Sequence, residues 1–197
     1  GGRTGTGTSD SKDVFALMNE YKISPRLTFS NSLLQEIHLT DKKCNLLCNL
    51  FKKSEIPAGI IIHSDLLLDY LKKNYSTFYF ISSTTKVLTD FADFQKELNR
   101  EDFSYVVPDF RLNKSFENLN ALSQTQKDKV EFLCNECCNF ACSDRKICYQ
   151  NVSRKNLGLD VVSHKCTAPD SQKGYRFSSA KKNPAFIGID DIQKKYL

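Results

Sequence analysis

Six of the chain's eight cysteines, Cys134, Cys137, Cys138, Cys142, Cys148 and Cys166, fall within 33 residues. Thiolates at this density suit a soft metal, and four are enough for either Zn²⁺ or an iron–sulfur cluster. A disulfide framework fits poorly, because disulfides belong to secreted chains and neighbours such as Cys137 and Cys138 rarely pair with each other. Cys134, Cys138 and Cys142 recur every four residues, so a helix there would carry all three on one side. Zinc is the alternative, with Cys134-x2-Cys137 as one knuckle and His164-x-Cys166 as a second. The cluster begins where a core strand is expected to end, which favours iron–sulfur over a zinc ribbon. A radical-SAM triad needs cysteines at i, i+4 and i+7, but that last position falls on Ala141 or Arg145. The bacterial ferredoxin run is also missing. Cys44 and Cys48 stand apart and read as core residues of a helix that also carries Leu47 and Phe51.

The elements that must position these groups repeat one grammar. A helix capped near Asp10 or Ser11 runs through Tyr21, with Val14, Leu17, Met18 and Tyr21 on one face. Strands are expected at 26–30, 59–63, 78–82, 104–107 and 129–133, each of the first four followed by helical material. Short apolar strands alternating with helices predict an α/β fold with a parallel sheet. The spacing fits a (β/α) barrel, of which 197 residues would hold five or six of eight units, so the chain reads as an incomplete barrel excerpt. A doubly wound sheet is the competing architecture. In this division residues 1–133 supply five β/α units, 134–182 a cysteine-rich basic insertion after a strand, and 183–197 the return to the barrel.

In such folds chemistry collects where loops leave the strands' C-terminal ends. Capping accounts for Ser32, Ser64 and Asp65 there, but less well for His63, Lys86, Asp109, Arg111 and Glu136. Lys86, Asp109, Arg111 and Glu136 are therefore candidate catalytic groups, and His63 and Asn113 candidate substrate contacts. Asp109 and Arg111 straddle one residue, so they could pair with each other or together hold a polar substrate. The opening glycines, Gly1 to Gly7, lack the Lys-Ser or Lys-Thr of a phosphate loop.

Composition bounds these readings. The chain is 40% hydrophobic and 26% charged, as for one globular unit, and no run of about 18 apolar residues suggests a membrane span. Without a signal-peptide pattern it reads as soluble and cytoplasmic, where reduced thiols persist. The missing initial methionine suggests a piece of a longer protein. The net charge of +5 is uneven: residues 143–182 hold nine Lys or Arg against three Asp, a local balance of +6, and the rest of the chain is close to neutral at −1. That segment could face RNA or an anionic substrate, although no aromatic ladder interleaves its charges.

The strand Val130-Glu131-Phe132-Leu133 runs into Cys142-x5-Cys148-x17-Cys166, then Asn183-Pro184-Ala185-Phe186-Ile187 and Asp190-Asp191-Ile192. This pattern resembles the collagenase-like peptidase family, number thirty-two of the unassigned class. The resemblance covers mainly residues 130–197, and the wider chain is similar to proteins of anaerobic gut bacteria. It implies a barrel-like catalytic domain and a four-iron, four-sulfur cluster held by four cysteines. It also implies an enzyme of the peptidase or oxygen-independent hydroxylase type. Carried over by position, Cys142, Cys148 and Cys166 are ligands, and Cys138 is the choice for the fourth. The cysteine spacings differ from the family's by a residue or two.

Overall fold

Four short strands, β1 (Arg26–Phe29), β2 (Gly59–Ile62), β3 (Tyr79–Ser82) and β4 (Tyr105–Val106), form an all-parallel sheet in the order β1-β2-β3-β4. The structure is a computed structural model and describes residues 11–136, 138–164, 166–168 and 181–197. Strand order follows chain order, without the reversal that makes a switch point in a doubly wound sheet. Contacts gather into two units, residues 1–81 and 82–197.

In the first unit, helices α1 (Ser11–Glu20), α2 (Lys42–Phe51) and α3 (Asp65–Asn74) flank the strands in sequence. Their starts are set locally. Asp41 accepts from the Cys44 amide at 2.7 Å, and Ser64 from the Leu67 amide at 3.4 Å, so orphan N–H groups of the first turn are satisfied. Leu67, Leu68 and Leu71 are buried with Ile60 and Ile62 of β2. Of the two cysteines expected in the core only Cys48 is buried; Cys44 is exposed. The inward face of α1 also differs from expectation. Leu17 and Tyr21 are exposed, while Phe15 meets Phe51 edge-on at 5.4 Å.

β1 and β2 pair from Arg26 opposite Gly59 to Phe29 opposite Ile62. Beside that register the Tyr79 hydroxyl accepts from Arg26 Nε at 3.0 Å and lies 2.7 Å from Ser24 Oγ. Ser24 donates its own proton to the Pro57 carbonyl at 2.6 Å, so Tyr79 donates to Ser24. The ring is thereby fixed over Gly59, where a Cβ would meet it at 2.6 Å. Gly59→Ala is expected to destabilise by about 1–3 kcal/mol through overpacking, read as a lower urea midpoint with an unchanged slope.

The second unit contains α4 (Phe91–Leu98), α5 (Phe116–Asn120), α6 (Gln124–Lys127), α7 (Arg145–Asn156) and α8 (Ile189–Lys195). Its core is Phe94, Leu98, Phe103, Val106, Phe110, Leu119 and Ile187. The segment 183–197 packs here: Tyr196 donates to the Lys127 carbonyl at 2.7 Å and meets Phe132 edge-on at 5.1 Å.

The sheet does not close into a barrel, and the expected fifth strand is a single parallel bridge, Val106 to Val130. β4 is two residues long, and Pro108 soon after it has no N–H to extend a ladder. Further along, the Leu133 carbonyl is taken by the side chain of Asn113 at 2.9 Å instead of by a neighbouring strand. Among the described residues, no helix is long and apolar enough to cross a membrane.

Candidate metal centre and its ion-pair clamp

The described residues of 134–142 do not form the helix that the four-residue cysteine spacing predicts. Side chains capture the backbone groups a helix would use. Glu136 Oε1 accepts from the Cys138 amide at 2.9 Å, and Asn139 Oδ1 from the Ala141 amide at 3.0 Å. Asn183 donates to the Cys138 carbonyl at 2.8 Å, so the Asn-Pro-Ala-Phe-Ile segment pins this loop. Cys137 lies outside the described residues.

Beneath the loop, at the end of β4, sits a group of charges. Asp109, wholly buried, caps a 3₁₀ turn at Phe110–Leu112. Its Oδ1 accepts from Arg111 Nε at 2.6 Å and its Oδ2 from Arg111 Nη2 at 3.1 Å. Asp109 and Arg111 thus pair with each other, because the backbone turns where an extended strand was expected. Arg145 completes the group. Its side chain is 4% exposed, Nε lies 3.2 Å from Asp109 Oδ2, and Nη2 donates to Glu136 Oε2 at 2.6 Å. The Nε contact to Asp109 is an ion pair only, since Nε makes no aligned hydrogen bond. The guanidinium also stacks between Phe110, at 4.6 Å, and Tyr149, at 5.0 Å. Burial pushes the Tyr149 hydroxyl up to about 12, opposed by Arg145.

This clamp reaches the cysteines. Arg111 Nη1 donates to the Cys142 carbonyl at 3.0 Å. Burial pushes the Cys138 thiol up to about 11, against the pull of Arg145, while Cys142 and Glu136 push with burial. Cys148 is raised by burial first, and then by Cys166, Cys142 and Asp144. Cys142 therefore lies within electrostatic range of both Cys138 and Cys148, and Cys166 within range of Cys148. These four thiols are the ones expected as ligands. Among the described residues, no three His, Cys, Asp or Glu side chains converge as a metal-holding group. By chemistry the donor set fits a soft metal: four sulfurs, with a buried guanidinium beside one of them.

The α7 helix positions the rest. It buries Arg145, Asn151 and Ser153, three polar residues on different sides of the helix, in place of an apolar stripe. It ends in a Schellman turn: Gly158, at φ 70°, donates to the Lys155 carbonyl, and Leu159 to that of Arg154. The chain is thereby sent back along α7, where Asn151 holds Val162 and His164 reaches Cys148, with Nε2 to Sγ at 2.7 Å.

The remaining candidates lie elsewhere or serve other partners. Lys86 pairs with Glu97, which also accepts from Ser82 at 2.6 Å, and its ammonium lies 4.8 Å over the Phe103 ring. Asn113 donates to the carbonyls of Leu133 and Ala185, tying two segments together in the interior. His63 belongs to the first unit, directly after β2. Of the basic segment, Lys165 and residues 169–180 lie outside the described residues, as do the opening glycines. Arg145, Asn151 and Asn183 were not singled out as site residues from the sequence. The detectable signal was Asn151 three residues after Cys148 on a helix, with Gly158 marking its end. No protein-family model, curated protein or solved structure matches this chain.

Proposed function

We propose that this chain is an iron–sulfur protein in which Cys138, Cys142, Cys148 and Cys166 hold a four-iron, four-sulfur cluster. It would be part of an enzyme of the collagenase-like peptidase or oxygen-independent hydroxylase type. The observation that supports this reading is a chain of three electrostatic pairs, Cys138 with Cys142, Cys142 with Cys148 and Cys148 with Cys166, with the buried Arg145 beside Cys138. The sequential strand order supports the finer reading of a barrel segment, since consecutive (β/α) units of a barrel pair in that order.

When bound, the cluster would supply one-electron chemistry or a Lewis-acidic iron. The chain's own residues do the holding. Each thiol gives up its proton to bind, and burial makes that loss costly for Cys138, so loading favours higher pH. The Arg145 guanidinium offsets negative charge at Cys138, and Arg111 fixes the backbone at Cys142. Asp109, Arg111 and Glu136 act in this reading as the clamp that orients the cysteine loop, and Lys86 remains a candidate for substrate at the end of β3.

Anaerobic purification followed by iron, sulfide and zinc analysis tests this. A brown protein with a broad band near roughly 400 nm and matching iron and sulfide is expected. A colourless protein with stoichiometric zinc would instead support a zinc-stabilised domain without catalysis, with RNA or a protein as the partner of the basic segment.

A further inference from the structure

The outer edge of the sheet, beyond β4, has hydrogen-bonding groups to spare. Val106 donates to the Lys129 carbonyl at 2.8 Å and accepts from the Glu131 N–H at 3.1 Å, which makes the parallel bridge to Val130. Successive residues of an extended chain turn their backbone groups to opposite sides, so Val130 and Phe132 direct theirs away from β4. On that side the Val130 N–H is spent on the Lys127 carbonyl at 3.1 Å. The Val130 carbonyl and the Phe132 N–H have no hydrogen-bond partner among the described residues. An acceptor and a donor flanking one residue are what a further parallel strand uses: its residue opposite Glu131 donates to Val130 and accepts from Phe132.

The usual devices that blunt an edge are missing here. Val130-Glu131-Phe132-Leu133 contains no proline or glycine. Lysine often guards an edge, but the flanking Lys129 is committed elsewhere, with Nζ donating to the carbonyls of Leu98 at 3.2 Å and Arg100 at 2.9 Å. Beside the edge lies a groove of about 410 Å³, with Val130 and Phe132 in one wall and Ile192, Tyr196 and Leu197 in the other. The wall is fixed in place, since Tyr196 stands edge-on to Phe132 at 5.1 Å and donates to the Lys127 carbonyl.

Alternation sets the pattern of the occupant. The residue opposite Glu131 lies on the Glu131 face, and its two neighbours lie on the face of Val130 and Phe132, beside the groove. Apolar neighbours fill the groove, and a basic residue between them meets Glu131, where an acid would be repelled. The same rule disfavours a second copy of this chain. Two such edges related by a two-fold axis could satisfy both open groups, but only with Glu131 directly opposite its own mate.

We propose that the sheet edge at residues 130–132 is a docking site for an extended segment of a partner protein, added as a parallel strand with the pattern apolar–basic–apolar. This site uses none of the cysteines and is independent of the iron–sulfur reading.

The probe is the peptide acetyl-Thr-Val-Lys-Val-Thr-amide, titrated into the full chain with amide chemical shifts as the readout. Saturable binding that moves the Phe132 amide is expected. N-methylation of the lysine removes the N–H meant for Val130 and should weaken binding by at least about tenfold. N-methylation of the valine after it, whose N–H faces away from the edge, should leave binding close to that of the parent peptide. Glutamate in place of the lysine should weaken binding about three- to tenfold, and Glu131→Lys should reverse the preference between the two peptides. Absence of saturation at millimolar peptide overturns the proposal, as does equal sensitivity to the two methylations or an unreversed preference in Glu131→Lys. The methylated peptides need no protein variant, so they decide the matter even if Glu131→Lys misfolds. Self-association through this edge, seen by sedimentation as a dimer that excludes the peptide, would make a second copy the occupant and also overturn it.

Discussion

Arg145→Ala should destabilise the second unit by about 3–5 kcal/mol, the cost of leaving a part-buried carboxylate without its partner. Glu136, 19% exposed, loses its paired cation and cannot recover its hydration cheaply, while the wholly buried Asp109 keeps Arg111 but loses the second cation beside it. The truncation also empties the space between Phe110 and Tyr149. Arg145→Lys should rescue little, because an ammonium cannot stack between two rings while contacting two carboxylates. If charge pairing is the cause, Arg145→Met combined with Glu136→Gln should be less damaging than the separate losses added together. The side-chain oxygen of the substituted amide still accepts from the Cys138 N–H, and the buried charge is gone. Urea denaturation of wild type, the two single variants and the double variant measures this. Additive losses would mean that the ion pair contributes little and that packing dominates.

Replacing any one of Cys138, Cys142, Cys148 or Cys166 by serine should reduce iron and sulfide in the anaerobically purified protein to background. A serine hydroxyl is a poor substitute for a thiolate at a soft metal. Cys44→Ser and Cys134→Ser should keep the wild-type iron content. Cys44 is exposed on α2, and the raised thiol of Cys134 owes its shift to burial without any neighbouring thiol contributing. Metal analysis on the six variants decides the ligand set. Iron loss from Cys134→Ser with retention in Cys138→Ser would exchange those two residues in the assignment.

The elements that were legible in the sequence are those decided within a few residues. Ser64 caps its helix because a short polar side chain reaches its own helix N-terminus whatever surrounds it. The apolar run Gly59–Ile62 reads as a strand because it has little competing local structure. The reading broke where side chains took over backbone partners. The regular spacing of Cys134, Cys138 and Cys142 is that of a helix face, yet Glu136, Asn139 and Asn183 hold those backbone groups in turns. Asn183 is 45 residues from the Cys138 carbonyl it binds, and no local pattern encodes that contact.

The sequence by itself determined the parallel α/β class and the clustering of soft ligands in one segment. Spacing and residue type suffice for each of these. Only the tertiary structure decided that the sheet stays unclosed and that Cys44 and Cys48 part company. It also decided that, among the described basic residues of 143–182, Arg145 is the buried one. Arg145 is chemically like Arg154, and what sets it apart is position: the start of α7 lies against the end of β4, where two carboxylates and two aromatic rings compensate a buried guanidinium.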